Sequence, residues 1–144
     1  MAVQRIVIGT DGSEGATKAV RWCASLAAGL GAEVVAIYAY SPLDELPRHR
    51  GTDLGTLAKE AATRLHDEWC APLAEAGVTY TSRLVEDLPV DALVSTATSE
   101  AADLIVIGSH GEGGWQARIM GRTATGLPHD SPCPIAIVPH DKPS

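Results

Sequence analysis

Residues 3–13 read VQRIVIGTDGS and carry the clearest signal of the fold class. The apolar run from Val3 to Gly9 is nearly continuous and rich in β-branched residues, which is typical of a strand buried on both faces of a parallel sheet. The run stops at Thr10-Asp11-Gly12-Ser13, a group of turn-forming and helix-capping residues. The stretch therefore predicts a strand that passes through a tight turn directly into a helix.

The remaining chain alternates between the same two kinds of segment. Helical spacing of apolar residues predicts a first helix that ends at Gly29 to Gly31, a long helix over 54–76 with a kink near Pro72, and a helix over 90–100. Apolar runs predict further strands over 33–40, 80–85, 103–108 and 135–138, and residues 41–51 are expected to form a loop. We expect a last short helix to begin near Gly121 and to fail by Leu127, because Pro128 cannot continue it.

This order of elements defines a fold class. Strands that alternate with helices through short connections build a parallel sheet covered by helices on both faces. The chain of 144 residues has the size of one domain. The sequence therefore predicts a single α/β domain over residues 1–144, with an open parallel five-stranded sheet of the Rossmann-like kind.

Composition excludes several classes of protein. Hydrophobic residues make up 45% of the chain and charged residues 20%, which argues against a disordered chain. The formal net charge of −7 argues against nucleic-acid binding, and no apolar run approaches the roughly 18 residues of a membrane span. The start of the chain lacks the layout of a signal peptide, so we expect a soluble, cytoplasmic protein. Cys23, Cys70 and Cys133 form no CxxC pair, so we expect reduced, buried thiols and no metal site.

Two strands end in the same kind of glycine turn. Ile6 to Gly12 reads IVIGTDG, and Ile105 to Gly111 reads IVIGSHG. In a doubly wound sheet, ligands bind beyond the carboxyl ends of the strands, where the strand order reverses. If the order is 3-2-1-4-5, the reversal lies between the two strands that carry these turns. A ligand site is therefore predicted there.

The second turn has the composition of a phosphate-binding loop. Gly108, Gly111 and Gly121 follow the spacing G-x2-G-x9-G, and glycines let successive N–H groups converge on an anion. Arg118 and Arg122 flank this loop and could neutralise phosphates. The alternative interpretation is an ordinary surface loop with solvated arginines. Trp115 could pack over a base or close the loop on the core.

The first turn offers a carboxylate. Asp11 is expected to accept hydrogen bonds from ribose hydroxyls, although an N-cap that forms a capping box with Glu14 is the alternative interpretation. Thr10 and Ser13 are weaker candidates of the same kind. His110 is interpreted as a polar loop residue rather than a general base, so no catalytic residue is predicted. The residues expected to bind the ligand or cofactor at this predicted site are Thr10, Asp11, Gly12, Gly108, Ser109, Gly111, Gly121, Arg122 and Thr123.

The chain resembles the universal stress protein family over nearly its full length. The resemblance is carried by IVIGTDGSEGA, AEVVAIYAY, ADLIVIGSHG and SPCPIAIVP, together with the glycine spacing. It implies the sheet order 3-2-1-4-5 and an adenine nucleotide ligand such as ATP or AMP, with or without Mg²⁺. It also implies a homodimer joined through the last strand, Ile135 to Val138, and an apolar edge strand favours such pairing independently.

The sequence departs from the family pattern directly after the last glycine of the loop, and the next position where the family has a hydroxyl is occupied by Ala124. The family has Ser or Thr directly after the last glycine, whereas this chain has Arg122, with Thr123 one position later. Arg122 could bind phosphate through its backbone N–H and its charge, or fill the pocket with its own side chain.

Three functions remain open from the sequence. The first is a regulatory protein that senses an adenine nucleotide, with slow turnover of ATP at most. The second is a dimeric stress protein that binds no nucleotide and acts through protein partners. The third is an enzyme that uses ATP, for which the histidine-rich phosphate motif expected after the first strand is missing.

Overall fold

One parallel sheet organises the chain. A computed structural model describes residues 2–40, 54–109 and 126–139. Its five strands are paired in the order β3-β2-β1-β4-β5, which confirms the predicted order. The strands are β1 (Arg5–Gly9), β2 (Glu33–Tyr40), β3 (Tyr80–Glu86), β4 (Leu104–Gly108) and β5 (Ile135–Val138).

Helices cover both faces of this sheet. In chain order they are α1 (Glu14–Leu30), α2 (Leu54–Arg64), a π-helical turn (Leu65–Trp69), α3 (Ala71–Glu75), α4 (Pro89–Ser99) and α5 (Gly126–Asp130). One layer of the core packs α1, the π-helical turn and α3 against the sheet. The other layer packs α4 and α5 against the opposite face. None of the described helices has the length and apolar character that crossing a bilayer requires.

The burial of β1 explains its unbroken apolar sequence. Ile6 and Ile8 belong to the layer of α1, whereas Val7 belongs to the layer of α4. All three side chains are fully buried, because successive side chains of a strand point to opposite faces and both faces are covered here.

One carboxylate fixes the start of β1 against β4. Asp103 Oδ2 accepts hydrogen bonds from the backbone N–H groups of Gln4 (2.9 Å) and Arg5 (3.1 Å). The N–H of Asp103 donates in return to the carbonyl of Arg5 at 2.8 Å. The register that follows places Val7 opposite Ile105. Consequently the carboxyl ends of β1 and β4 emerge side by side.

The predicted long helix is interrupted before its proline. The N–H of Cys70 donates to the carbonyl of Leu65 at 3.0 Å, five residues back, which makes the turn π-helical. Cys70 then separates this turn from α3. Pro72 lies in the first turn of α3, where a missing N–H removes no helical bond. The break therefore lies at Cys70 rather than at Pro72.

The prediction that the last helix fails by Leu127 is wrong. Helix α5 runs through Pro128, and the N–H of Ser131 donates to the carbonyl of Leu127 at 2.9 Å. Pro128 lies in the first turn of α5, where its missing N–H removes no bond within the helix and its ring meets no carbonyl of a preceding turn of α5. Leu127 is also fully buried in the layer of α4. The expected helix start near Gly121 and the expected loop over 41–51 lie outside the described residues.

The three thiols are free, but they are not equally buried. Cys23 and Cys70 are fully buried in the layer of α1, and burial raises the pKa of each thiol to about 12. This confirms the prediction of buried thiols for these two residues. Cys133 is only partly buried, and desolvation raises the pKa of its thiol as well.

The carboxylate that joins β1 to β4 supplies a test of the fold. Replacing Asp103 with alanine is expected to lower the free energy of unfolding by about 1–3 kcal/mol, because two backbone N–H groups lose a charged acceptor. Urea denaturation of Asp103→Ala measures this loss. Glu75→Ala removes an exposed carboxylate from α3 and is the matched control, for which we expect a change within about 0.5 kcal/mol. Equal stability of the two variants would contradict the assignment.

Candidate functional site

The turn between β1 and α1 begins with a residue that faces inward. Thr10 is fully buried. Its backbone N–H donates to the carbonyl of Ile37 at 3.0 Å, and its Oγ1 accepts from the N–H of Gly12 at 3.2 Å. Thr10 therefore supports the turn from within rather than presenting its hydroxyl to solvent.

Asp11 holds the next part of the turn and remains partly exposed. Its Oδ1 accepts from the N–H of Ser13 at 2.9 Å. Its Oδ2 has no hydrogen-bond partner among residues 2–40, 54–109 and 126–139. Since one oxygen orders the turn, the carboxylate is held in a defined position with its other oxygen available to a ligand.

The N-cap of α1 is Ser13, and the alternative interpretation of Asp11 as this cap is wrong. Ser13 Oγ accepts from the N–H of Ala16 at 3.3 Å. Gly12, with φ of 78°, separates Asp11 from the helix start, so the carboxylate meets the N–H of Ser13 and not an N–H of the first helical turn. The Asp11 and Glu14 pair therefore forms no capping box.

Gly12 is required by its backbone and by a neighbouring indole. A Cβ atom at this position would lie 2.2 Å from Cε2 and 2.4 Å from Nε1 of Trp69. Trp69 ends the π-helical turn, and its ring meets the ring of Tyr38 edge to face, with centroids 5.2 Å apart. The indole thus lies directly on the turn that carries Asp11.

The carboxyl end of β4 lies next to this turn. Ile8 pairs with Val106 in register, so Thr10 and Gly108 follow this pair by the same number of residues on neighbouring parallel strands. Gly108 is buried, and the N–H of Ser109 donates to the carbonyl of Val138 at 2.9 Å. That N–H is consequently engaged within the sheet.

The structure thus brings five of the predicted residues together at the carboxyl ends of β1 and β4. These are Thr10, Asp11, Gly12, Gly108 and Ser109. Gly111, Gly121, Arg122 and Thr123 lie outside the described residues, as do His110, Trp115 and Arg118. Within the described ranges, no group of three metal-ligating side chains could hold a metal ion.

Trp69 and Tyr38 were not predicted as part of this site. The spacing of apolar residues over 54–76 fits a continuous helix with Trp69 as a core position. The π-helical turn adds one residue to the turn and changes the direction of the side chains that follow. The apolar pattern carries no signal of that insertion.

The sheet order and the helices on both faces define a doubly wound α/β protein of the Rossmann-like class. The chain belongs to the universal stress protein family, whose family model matches residues 2–139.

Individual relatives agree with this assignment. A universal stress protein of Methanocaldococcus jannaschii is 30% identical over 149 aligned residues, which cover 96% of this chain and 84% of the relative. A universal stress protein solved in complex with cAMP is 30% identical, with a TM-score of 0.66 and coverage of 96% of this chain and 98% of that one. A universal stress protein of Lactobacillus plantarum shares the fold with a TM-score of 0.71 at 18% identity, and the match covers 96% of this chain and 99% of that one.

Glycine substitutions separate the two constraints on Gly12. Gly12→Ala is expected to destabilise the protein more than Gly77→Ala, which has a similar φ of 72° but open space at the Cβ position. Gly77→Ala measures the backbone strain alone, about 1–2 kcal/mol, and Gly12→Ala adds the displacement of the indole. Gly29→Ala has neither constraint, and we expect it to be neutral or mildly stabilising. Thermal unfolding of the three variants gives the comparison. Equal losses at positions 12 and 77 would rule out a contribution from Trp69.

Proposed function

We propose that this protein is a cytoplasmic regulatory protein that binds an adenine nucleotide, such as ATP, AMP or cAMP, at the carboxyl ends of β1 and β4. The observation that carries this proposal is the placement of the Asp11 turn beside Gly108 and Ser109, at the reversal of the strand order. The relative solved with cAMP, which matches nearly the whole chain at 30% identity, supports an adenine nucleotide as the ligand class.

In this proposal the two turns have different roles. Asp11 accepts hydrogen bonds from the ribose hydroxyls through its Oδ2, because its Oδ1 is engaged with Ser13. Gly108, Gly111 and Gly121 frame the phosphates, with Arg122 and Thr123 as the neighbouring donors. Since the net charge of the chain is −7, the attraction of phosphate must come from such local groups. Any Mg²⁺ is brought by the phosphates themselves.

The nucleotide is proposed as a sensed ligand rather than a fast substrate. Thr10 is buried with its N–H and its hydroxyl oxygen engaged within the protein, and one carboxylate oxygen of Asp11 orders the turn, so in this proposal the turn is built to hold a ligand in place. Slow hydrolysis of ATP and a nucleotide-independent role through protein partners are the outcomes that a binding measurement separates.

Calorimetric titration of the nucleotide-free protein with AMP, ATP and cAMP tests this function, with and without Mg²⁺. We expect saturable binding, and we expect Asp11→Ala to weaken it about tenfold because a charged acceptor of the ribose is lost. Glu14→Ala removes a nearby exposed carboxylate from the first turn of α1 and is the matched control. Absence of heat and of thermal stabilisation at millimolar nucleotide would refute nucleotide binding and favour the role through protein partners.

We further propose that the protein forms a homodimer through β5. This strand lies at the edge of the sheet, and Ile137 is an exposed large hydrophobic residue on it, with 46% of its surface accessible. Pairing Ile135–Val138 with its copy around a twofold axis would cover the edge strand and the Ile137 side chain of both copies at once.

Sedimentation measurements test this dimer. Ile137→Glu is expected to shift the protein to a monomer, because it places two like charges at the paired edges. Leu30→Glu is the matched control, since Leu30 is similarly exposed at the end of α1 and belongs to no edge strand. A wild-type monomer, or an unaltered dimer of Ile137→Glu, would contradict the proposed interface.

A further inference from the structure

We infer that Trp69 forms the wall of the site that contacts the base of the bound nucleotide, and that base selectivity therefore resides in the π-helical turn. This inference rests on the proposed function and assigns a specificity-determining residue to it. It draws on three features of the described residues: the position of the indole, its partial exposure, and the negative charge of Asp11 in the β1–α1 turn.

The π-helical turn places the indole at the carboxyl end of the sheet. Trp69 closes this turn, in which Cys70 bonds to the carbonyl of Leu65. Gly12 lies so close to the ring that it leaves no space for a Cβ atom. Since Gly12 directly follows Asp11, the indole lies beside the residue that is proposed to accept hydrogen bonds from the ribose.

The indole is also part of an aromatic surface. Trp69 and Tyr38 meet edge to face, and Tyr38 stacks with Tyr40 at the end of β2 with centroids 6.5 Å apart. All three side chains are only partly buried. A partly exposed aromatic surface at the mouth of a site favours a flat heterocycle.

Charge orients the ligand across the two turns. The carboxylate of Asp11 disfavours phosphate at the β1–α1 turn, so the phosphates should lie toward β4, beyond Gly108. The uncharged end of the nucleotide then lies toward β2, on the side of Trp69 and Tyr38. Base and indole are thereby brought together.

Comparing AMP with ribose 5-phosphate isolates the base, because the two ligands share the sugar and the phosphate. Trp69→Leu is expected to weaken AMP binding about tenfold or more, as for loss of an aromatic contact to a base, and to leave the affinity for ribose 5-phosphate unchanged. Trp69→Phe should recover most of the affinity for AMP. Trp22→Leu is the matched control, since Trp22 is an exposed tryptophan within α1, and we expect it to change neither affinity.

Fluorescence gives a second measurement that does not depend on the leucine variant being well folded. The chain has a third tryptophan, Trp115, so the measurement is made in a Trp115→Phe background. There AMP should quench tryptophan emission with or without Trp22→Phe, and this quenching should be lost when Trp69→Phe is added. Ribose 5-phosphate should quench none of them.

The outcomes separate the possible failures. Equal weakening of AMP and ribose 5-phosphate in Trp69→Leu would show that the indole only supports the turn, and it would overturn the inference while leaving nucleotide binding intact. Unchanged AMP affinity in Trp69→Leu would overturn it in the same way. A wild-type protein that binds no AMP would overturn both the inference and the proposed function.

Discussion

The pairing of β1 with β4 sets both the packing of the core and the position of the carboxyl ends of these strands. β1 is buried on both faces, so its backbone groups must be satisfied by neighbouring strands and by Asp103. A slip of one residue would exchange Val7 with its neighbours between the two core layers. The same register sets the carboxyl ends of β1 and β4 beside each other at the opposite end of the sheet. Core packing and site geometry are thus decided together.

The elements that the sequence predicts well are those whose signal is local and strong. The run around Val7 is apolar and β-branched without interruption, and only a strand covered on both faces gives that pattern. The position of the proposed site is inferred from the strand order. The hydrogen bonds within the turn could not be predicted, because Asp11 and Ser13 both carry oxygens suited to capping. Gly12, with its positive φ, stands between Asp11 and the helix, and the requirement for glycine at this position also comes from Trp69, which is distant in sequence.

The position of Trp69 beside this turn could not be predicted from the sequence either. The apolar spacing before Cys70 is compatible with an unbroken helix, and a single inserted residue leaves no mark on it. The continuation of α5 past Pro128 was not predicted for a related reason. Burial of Leu127 against the sheet stabilises a short helix that local propensity alone would end.

Trp69 connects the core of the protein to the turn that carries Asp11. The indole packs against the core layer of α1 and presses on the turn that carries Asp11. A ligand that contacts the ring would therefore stabilise the layer behind it, by an amount that grows with the logarithm of the ligand concentration relative to its Kd. Under the proposed function, occupancy of the site would change the stability of α1 and of the helices that follow the π-helical turn. Regulation would then need no large movement, because the indole would contact both the ligand and the core.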